Sequence, residues 1–200
     1  RLVELELDLG RVEARLKGDW SFLPTGLAVW PQKLTSEVAV VKEKIVLLRK
    51  AMMFLPDFLG TDGKRRDYMV LLQNESELRA GGGFIGSYAM LSFEDGALLN
   101  FEVKDIYEAD GQLKGHVEPP EPIRRFLGEA AWYMRDSNWR ADFTEATKDI
   151  TWFLEKETGR SVDGVIGVNM ALAKAMLEVT GELYVPDFEE KINAANLYEQ

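Results

Sequence analysis

The sequence predicts an α/β domain, a mixed β-sheet flanked by helices, preceded by an N-terminal helical segment. Three observations carry that reading. An apolar stripe at steps of four and three runs through residues 34–55, two extended apolar runs meet at an Asp95-Gly96 turn, and a strand, helix, strand order follows them.

The stripe consists of Leu34, Val38, Val41, Ile45, Leu48, Met52 and Leu55, which fall on one face of a helix, while Ser36, Lys42, Glu43, Lys44, Arg49 and Lys50 supply the solvated face. Residues 1–16 mix Leu and Val with Glu and Arg, and Gly10 interrupts them, so a shorter or kinked helix is expected there. Between the two, Gly18, Pro24, Gly26 and Pro31 punctuate a segment carrying Trp20, Phe22, Leu27 and Trp30, whose bulk predicts a packed loop. Pro56, Gly60 and Gly63 end the helical part, which divides the chain into residues 1–60 and an α/β domain over 61–200. A helix with one apolar seam needs a partner, so this segment either pairs with itself or lies on the domain that follows.

Residues 68–72 form a short continuous apolar run, the pattern of a buried strand. Residues 84–93 and 97–106 follow as a hairpin around Glu94-Asp95-Gly96. Beyond Pro119, Pro120 and Pro122 come a short helix at 123–127 and a longer one at 144–158, stopped by Gly159. A buried strand at 162–168, a helix at 171–179 closed by Gly181, and a short strand at 183–185 complete the order. The chain begins at Arg1 and reads as a fragment, incomplete at its C-terminal end.

Composition removes several classes of function. With 24 Lys plus Arg against 34 Asp plus Glu, the net charge of −10 opposes binding that depends on neutralising phosphates, so no nucleic-acid partner is expected. The absence of Cys and the single His116 exclude thiolate zinc sites, cysteine nucleophiles and histidine-rich metal sites. No run of about eighteen apolar residues exists to span a bilayer.

Several motifs carry chemistry or mimic it. Gly81-Gly82-Gly83-Phe84-Ile85-Gly86 fits the G-x-G-x-x-G spacing, with Glu102 downstream, but a dinucleotide site needs a helix after Gly86 and the residues there read as strand. The glycines therefore serve as an anion-binding nest of backbone amides or as a plain close-approach turn. Asn74, Glu77 and Arg79 follow the first strand at a sheet edge, where ligands of α/β proteins bind. Arg79 either holds a phosphate or carboxylate in two parallel hydrogen bonds or pairs with Glu77 or Asp105 to pin the turn. The acidic stretch with Asp105, Glu108, Asp110, Glu118 and Glu121 offers oxygen ligands to a hard cation, yet a calcium loop centred on Gly111 puts Ile106 and Val117 where carboxylates are needed. His116 reads as a surface or capping residue. In the stretch from Trp132 through Tyr133 and Arg135 to Trp139, the rings fill a core or stack on sugars, while Asp136 and Asn138 cap the helix near Thr144 or face a cleft.

These same residues resemble a known but uncharacterised group, the family catalogued as domain of unknown function 4012, found in bacterial and archaeal cell-envelope proteins. The resemblance runs from Leu55 onward. It is carried by Pro56-Asp57-Phe58-Leu59-Gly60, Leu71-Leu72-Gln73-Asn74, Glu77-Leu78-Arg79, the turn from Gly82 to Tyr88, the stretch from Asp105 to His116, Pro119-Pro120, Arg135-Asp136-Ser137-Asn138-Trp139 and Val162-Asp163-Gly164-Val165. It implies a domain on the extracytoplasmic face of the membrane, held by an upstream membrane helix that this chain does not contain. More distantly, the order of elements is similar to the LytR-CpsA-Psr family, which transfers glycopolymers from a polyprenyl pyrophosphate to the cell wall using arginines and a metal-bridging aspartate. Where that family has Gly-x-Asp, Arg-x-Asp and Pro-Arg-Asp, this chain has Gln73-Asn74-Glu75, Gly82-Gly83-Phe84 and Val103-Lys104-Asp105, so Arg79, Lys104, Asp105 and Arg135 form a reduced set.

Two functions follow as expectations. In the first, a phosphotransferase-like domain uses Arg79, Asp105 and Arg135 as catalytic residues and Asn74, Glu77, Gly82, Gly83, Asp110, Asp136 and Asn138 to bind a lipid-pyrophosphate-linked glycopolymer, with Mg²⁺ held by Asp105 and Asp110. In the second, the same residues brace turns in a non-catalytic envelope module whose partner is another envelope protein.

Overall fold

The computed structural model describes residues 1–21, 24, 27 and 29–198. It divides into two compact units, Arg1–Gly63 and Lys64–Gln200.

The first unit is a pair of helices, α1 (Leu2–Leu16) and α2 (Val29–Phe58). Glu6 pairs with Arg49 at 3.1 Å and Glu13 with Lys42 at 3.1 Å. Position numbers rise by seven on one helix as they fall by seven on the other, which makes the pair antiparallel over two turns. Gly10 does not interrupt α1. A Cβ there would lie 3.8 Å from Lys42 Nζ, so the glycine sits at ordinary packing distance of the partner helix. The sequence-predicted stripe is helical, but only Val38 and Ile45 of it lie on the packed face. Thr35, Val38, Lys42, Ile45, Val46 and Arg49 are half-buried, whereas Leu34, Val41, Leu48, Met52 and Leu55 are exposed. Lys42 and Arg49, read as solvated, lie on the packed face because their charges meet Glu13 and Glu6 of α1. Trp30 and Pro31 open α2 instead of closing a loop, and α2 runs through Pro56 in its last turn. Phe22 and Gly26 of the expected loop lie outside the described residues. No described helix is long and apolar enough to cross a membrane.

The second unit holds a four-stranded mixed sheet in the order β3-β2-β1-β4, with β1 (Arg66–Asn74), β2 (Phe84–Glu94), β3 (Ala97–Asp105) and β4 (Gly164–Asn169). β1 is antiparallel to β2 and parallel to β4. The β2–β3 hairpin turns on Asp95 and Gly96, both at positive φ, the backbone a two-residue hairpin turn requires. Because β2 and β3 run opposite ways, one rim of the sheet collects the ends of β1, β3 and β4 together with the start of β2. Gly86 is the extra residue of a bulge at that rim, where Leu72 faces Ser87 and Gln73 faces Ile85.

Alternation decides the core. Met69 and Leu71 of β1, with Tyr88 and Met90 of β2, point to one face and are covered by Ala146, Ile150, Phe153 and Leu154 of α4 (Phe143–Thr158). Asp142 caps α4 by accepting from the Glu145 amide, and Gly159 closes it in the left-handed conformation. Ile106 and Ala109 of the short α3 (Ile106–Asp110) and Met134 complete the cluster. Residues Ile123–Leu127 form one π-helical turn and Met134–Trp139 form 3₁₀ turns. After β4 come α5 (Met170–Thr180) and a small hairpin of β5 (Leu183–Val185) with β6 (Glu190–Ile192).

Candidate functional site

The chain leaves β1 at Asn74, makes the glycine turn and re-enters the sheet at Phe84, so residues 75–83 sit on the rim beside the Met134–Trp139 turns. Three glycines allow that closeness. Gly82 and Gly83 have φ of +111° and +127°, and a Cβ on Gly83 would overlap the Asn74 carbonyl oxygen. A Cβ on Gly81 would stand 2.5 Å from the Asn138 carbonyl oxygen. The Gly81 amide donates to Asn138 O at 3.0 Å and the Gly82 amide to Arg79 O at 3.1 Å. Asn138 Nδ2 returns a bond to Gly83 O at 2.6 Å, and Gln73 Nε2 donates to Gly81 O at 2.8 Å. Of the two uses weighed for the glycines, the geometry is that of the close-approach turn: the amides of Gly81 and Gly82 already face protein carbonyls.

This turn delivers Arg79 to Asp136. Arg79 Nε and Nη2 each lie 2.9 Å from Asp136 Oδ1, and the two side chains are only 11% and 4% exposed. Arg79 Nη1 donates to Leu78 O, and the guanidinium lies 5.4 Å from the Phe84 ring centroid. Arg135 extends the chain of charges: Nη1 meets Asp110 Oδ2 at 2.9 Å, Nη2 meets Glu129 Oε2 at 3.2 Å, and Nε lies 3.6 Å from Asp136 Oδ2. Its guanidinium stands 4.5 Å from the Tyr133 ring centroid. Trp132 donates Nε1–H to Asp136 O and packs edge-on against Phe153, so that ring belongs to the core.

The family described as Protein of unknown function (DUF4012) matches residues 62–200, the segment that carries all of these contacts. The chain belongs to the DUF4012 family. No curated protein and no solved structure matches it.

Within the DUF4012 domain, the sequence-predicted residues separate into two groups. Arg79, Asp110, Arg135 and Asp136 come together in one chain of ion pairs, and Asn138 with Gly82 and Gly83 forms the turn beside it. Asn74, Glu77 and Asp105 do not join them. Asn74 Oδ1 accepts from the Ser76 amide, Glu77 is exposed, and Asp105 caps α3 by accepting from the Tyr107 amide at 2.8 Å. The partner of Arg79 is thus neither Glu77 nor Asp105 but Asp136, and the cap of α4 is Asp142 rather than Asp136 or Asn138. The Mg²⁺ expectation does not fit these side chains. Asp105 serves a helix cap, Asp110 serves Arg135, and among the described residues no three His, Cys, Asp or Glu side chains gather as ligands. His116 is exposed and pairs with Glu118 at 3.2 Å.

Glu157 escapes a motif search. It is 4% exposed, its Oε1 accepts from the Met134 amide at 3.3 Å, and Oε2 has no hydrogen-bond partner. Burial, followed by the charge of Asp110, raises its pKa to about 8, so it is neutral in the folded protein at pH 7. Burial also pushes the Asp110 carboxyl upward, against the lowering effect of Arg135. The signal was in the sequence: Glu157 falls on the apolar stripe of α4, in step with Ile150, Phe153 and Leu154.

Proposed function

We propose that the DUF4012 domain of this chain is a non-catalytic interaction module of the cell envelope, in which the two arginines brace the rim of the sheet. The observation that supports this reading is charge balance. Arg79 and Arg135 bring two positive charges, while Asp110, Asp136 and Glu129 bring three negative ones at ion-pair distance. Pyrophosphate recognition requires surplus positive charge and open bidentate donors. Here the donors of both guanidiniums face protein oxygens, and a pyrophosphate would have to displace carboxylates, of which those of Asp110 and Asp136 are nearly inaccessible to water. An extracytoplasmic position on an upstream anchor belongs to the same proposal, and protease shaving of intact cells producing the full-length protein tests it.

The brace is tested by thermal melting together with a binding measurement. Arg79→Ala is expected to lower the melting temperature strongly, while undecaprenyl pyrophosphate with Mg²⁺ produces no shift in the parent protein. An Arg79→Ala domain that stays stable and loses a pyrophosphate-dependent shift seen in the parent overturns the brace and restores the transferase reading.

A further inference from the structure

Away from the arginine chain, the carboxyl ends of β1 and β4 open into a cleft of about 510 Å³. We propose that this cleft binds an uncharged, hydroxyl-rich ligand of the carbohydrate class. The inference goes beyond the brace and does not depend on it.

Position is the first argument. β1 and β4 are adjacent and parallel, from Tyr68 beside Gly164 to Gln73 beside Asn169, and the chain leaves them in different ways, β1 into the glycine turn and β4 into α5. In open α/β sheets the crevice beyond the carboxyl ends of parallel strands, where successive connections diverge, is where ligands bind. The volume also lies within the roughly 300–1,000 Å³ of small-molecule sites.

The chemistry of the walls selects the ligand. Asn74, Ser76, Ser87, Asn169 and the Tyr198 ring line the cleft together with aliphatic side chains, and no described charged side chain lines it. Each asparagine is oriented by its own oxygen: Asn74 Oδ1 accepts from the Ser76 amide at 3.0 Å, and Asn169 Oδ1 accepts from the Leu172 amide at 3.0 Å. Among the described residues, neither asparagine's amide nitrogen and neither serine's hydroxyl has a protein partner. Two preset donors and two hydroxyls that both donate and accept match the alternating donors and acceptors of a sugar ring.

An anion is disfavoured at the same place. The amide at the start of α5, Met170 N, donates to Glu75 Oε2 at 2.8 Å, so a carboxylate already occupies the helix N-terminus. A phosphate entering the cleft would meet the Glu75 charge. Glu75 also fixes the aromatic wall, since its Oε1 accepts from the Tyr198 hydroxyl at 3.1 Å while Tyr198 stays 53% exposed. Lys174 Nζ lies 6.0 Å from that ring centroid and is not part of the lining. An anchored ring with an accessible face is what a sugar's C–H face stacks against.

The test uses the 200-residue chain as it stands. It is applied to an array carrying neutral, uronate-bearing and phosphorylated oligosaccharides, and the best neutral hit is then titrated by calorimetry. Binding to neutral glycans is expected, weakened about tenfold by Asn74→Asp or Asn169→Asp, which keep the Oδ1 bonds but remove a donor and add a charge. Tyr198→Ala should weaken it as much and Tyr198→Phe much less, with circular dichroism confirming that at least the two aspartate variants keep the fold. No binding to any neutral glycan overturns the proposal, as does a preference for the anionic glycans or an affinity unmoved by these substitutions. The outcome is separable from that of the brace: a chain that binds neutral glycans in this cleft and also binds undecaprenyl pyrophosphate through Arg79 keeps the cleft and loses the brace.

Discussion

The arginine chain and the β1–β4 cleft occupy the same rim of one sheet, and they dispose of their polar groups in opposite ways. At the first, Asp136 meets two guanidiniums, Asp110 meets one, and all four side chains are nearly inaccessible. At the second, uncharged side chains stand open, the two asparagines oriented by bonds from backbone amides that leave their NH₂ groups unused. Strongly charged groups close to each other neutralise and exclude water, so the most chemically suggestive residues of this domain are the least available. Amides and hydroxyls, which carry no net charge, stay open to a ligand.

The contrast yields a graded set of outcomes. Asp136→Ala strands the buried Arg79 guanidinium, while Arg135 keeps Asp110 and Glu129, and should destabilise the domain by about 3–5 kcal/mol in urea unfolding, whereas Asn74→Asp at the exposed cleft rim should stay within about 0.5 kcal/mol. Equal costs at the two places would erase the distinction. Next come the glycines. Gly83→Ala adds a Cβ at φ +127° against the Asn74 carbonyl and should cost at least about 2 kcal/mol, while Gly86→Ala, whose Cβ would find its nearest neighbour 4.0 Å away, should be tolerated. A third outcome is set by pH. Glu157 has its pKa raised from 4.5 to about 8, so the fold binds a proton there that the unfolded chain has released. Its contribution is therefore fully present below about pH 4.5 and declines as pH rises towards 8. Glu157→Gln removes that titration, so the variant should gain stability relative to the parent between pH 5 and pH 8, read as the difference between their unfolding curves. A difference that is flat with pH means that Glu157 is ionised in the fold.

Much of the fold was legible because its signals are local. The Asp95-Gly96 turn specifies a hairpin by backbone sterics alone, and Gly159 marks the end of α4 for the same reason. Gly10 misled because helix propensity is a small term that the pairing of α1 with α2 outweighs. The packed face of α2 was misjudged because Lys42 and Arg49 can lie against a partner helix once Glu13 and Glu6 meet their charges, which periodicity of apolar residues does not register. The candidate site was legible as a set of residues on one rim but not as a set of contacts. Arg79 and Asp136 are 57 positions apart, with Glu77 and Asp105 equally eligible partners until the 3₁₀ turns carry Asp136 to the glycine turn. Asn169 and Glu75 escaped notice because an ordinary helix cap and an acid after a strand carry no motif, although the first lines the cleft and the second holds Met170 N and the Tyr198 hydroxyl at its edge.

Asp136 has one further consequence. Its carboxylate faces Arg79 on one side and Arg135 on the other, and its carbonyl receives the Trp132 indole. Exchanging the charges of residues 79 and 136 would satisfy one neighbour while setting two cations side by side at the other. Anyone transplanting this rim into another scaffold, or building a chimera across it, must therefore move residues 79, 110, 135 and 136 as a single inheritance, for no two of them can be traded in isolation.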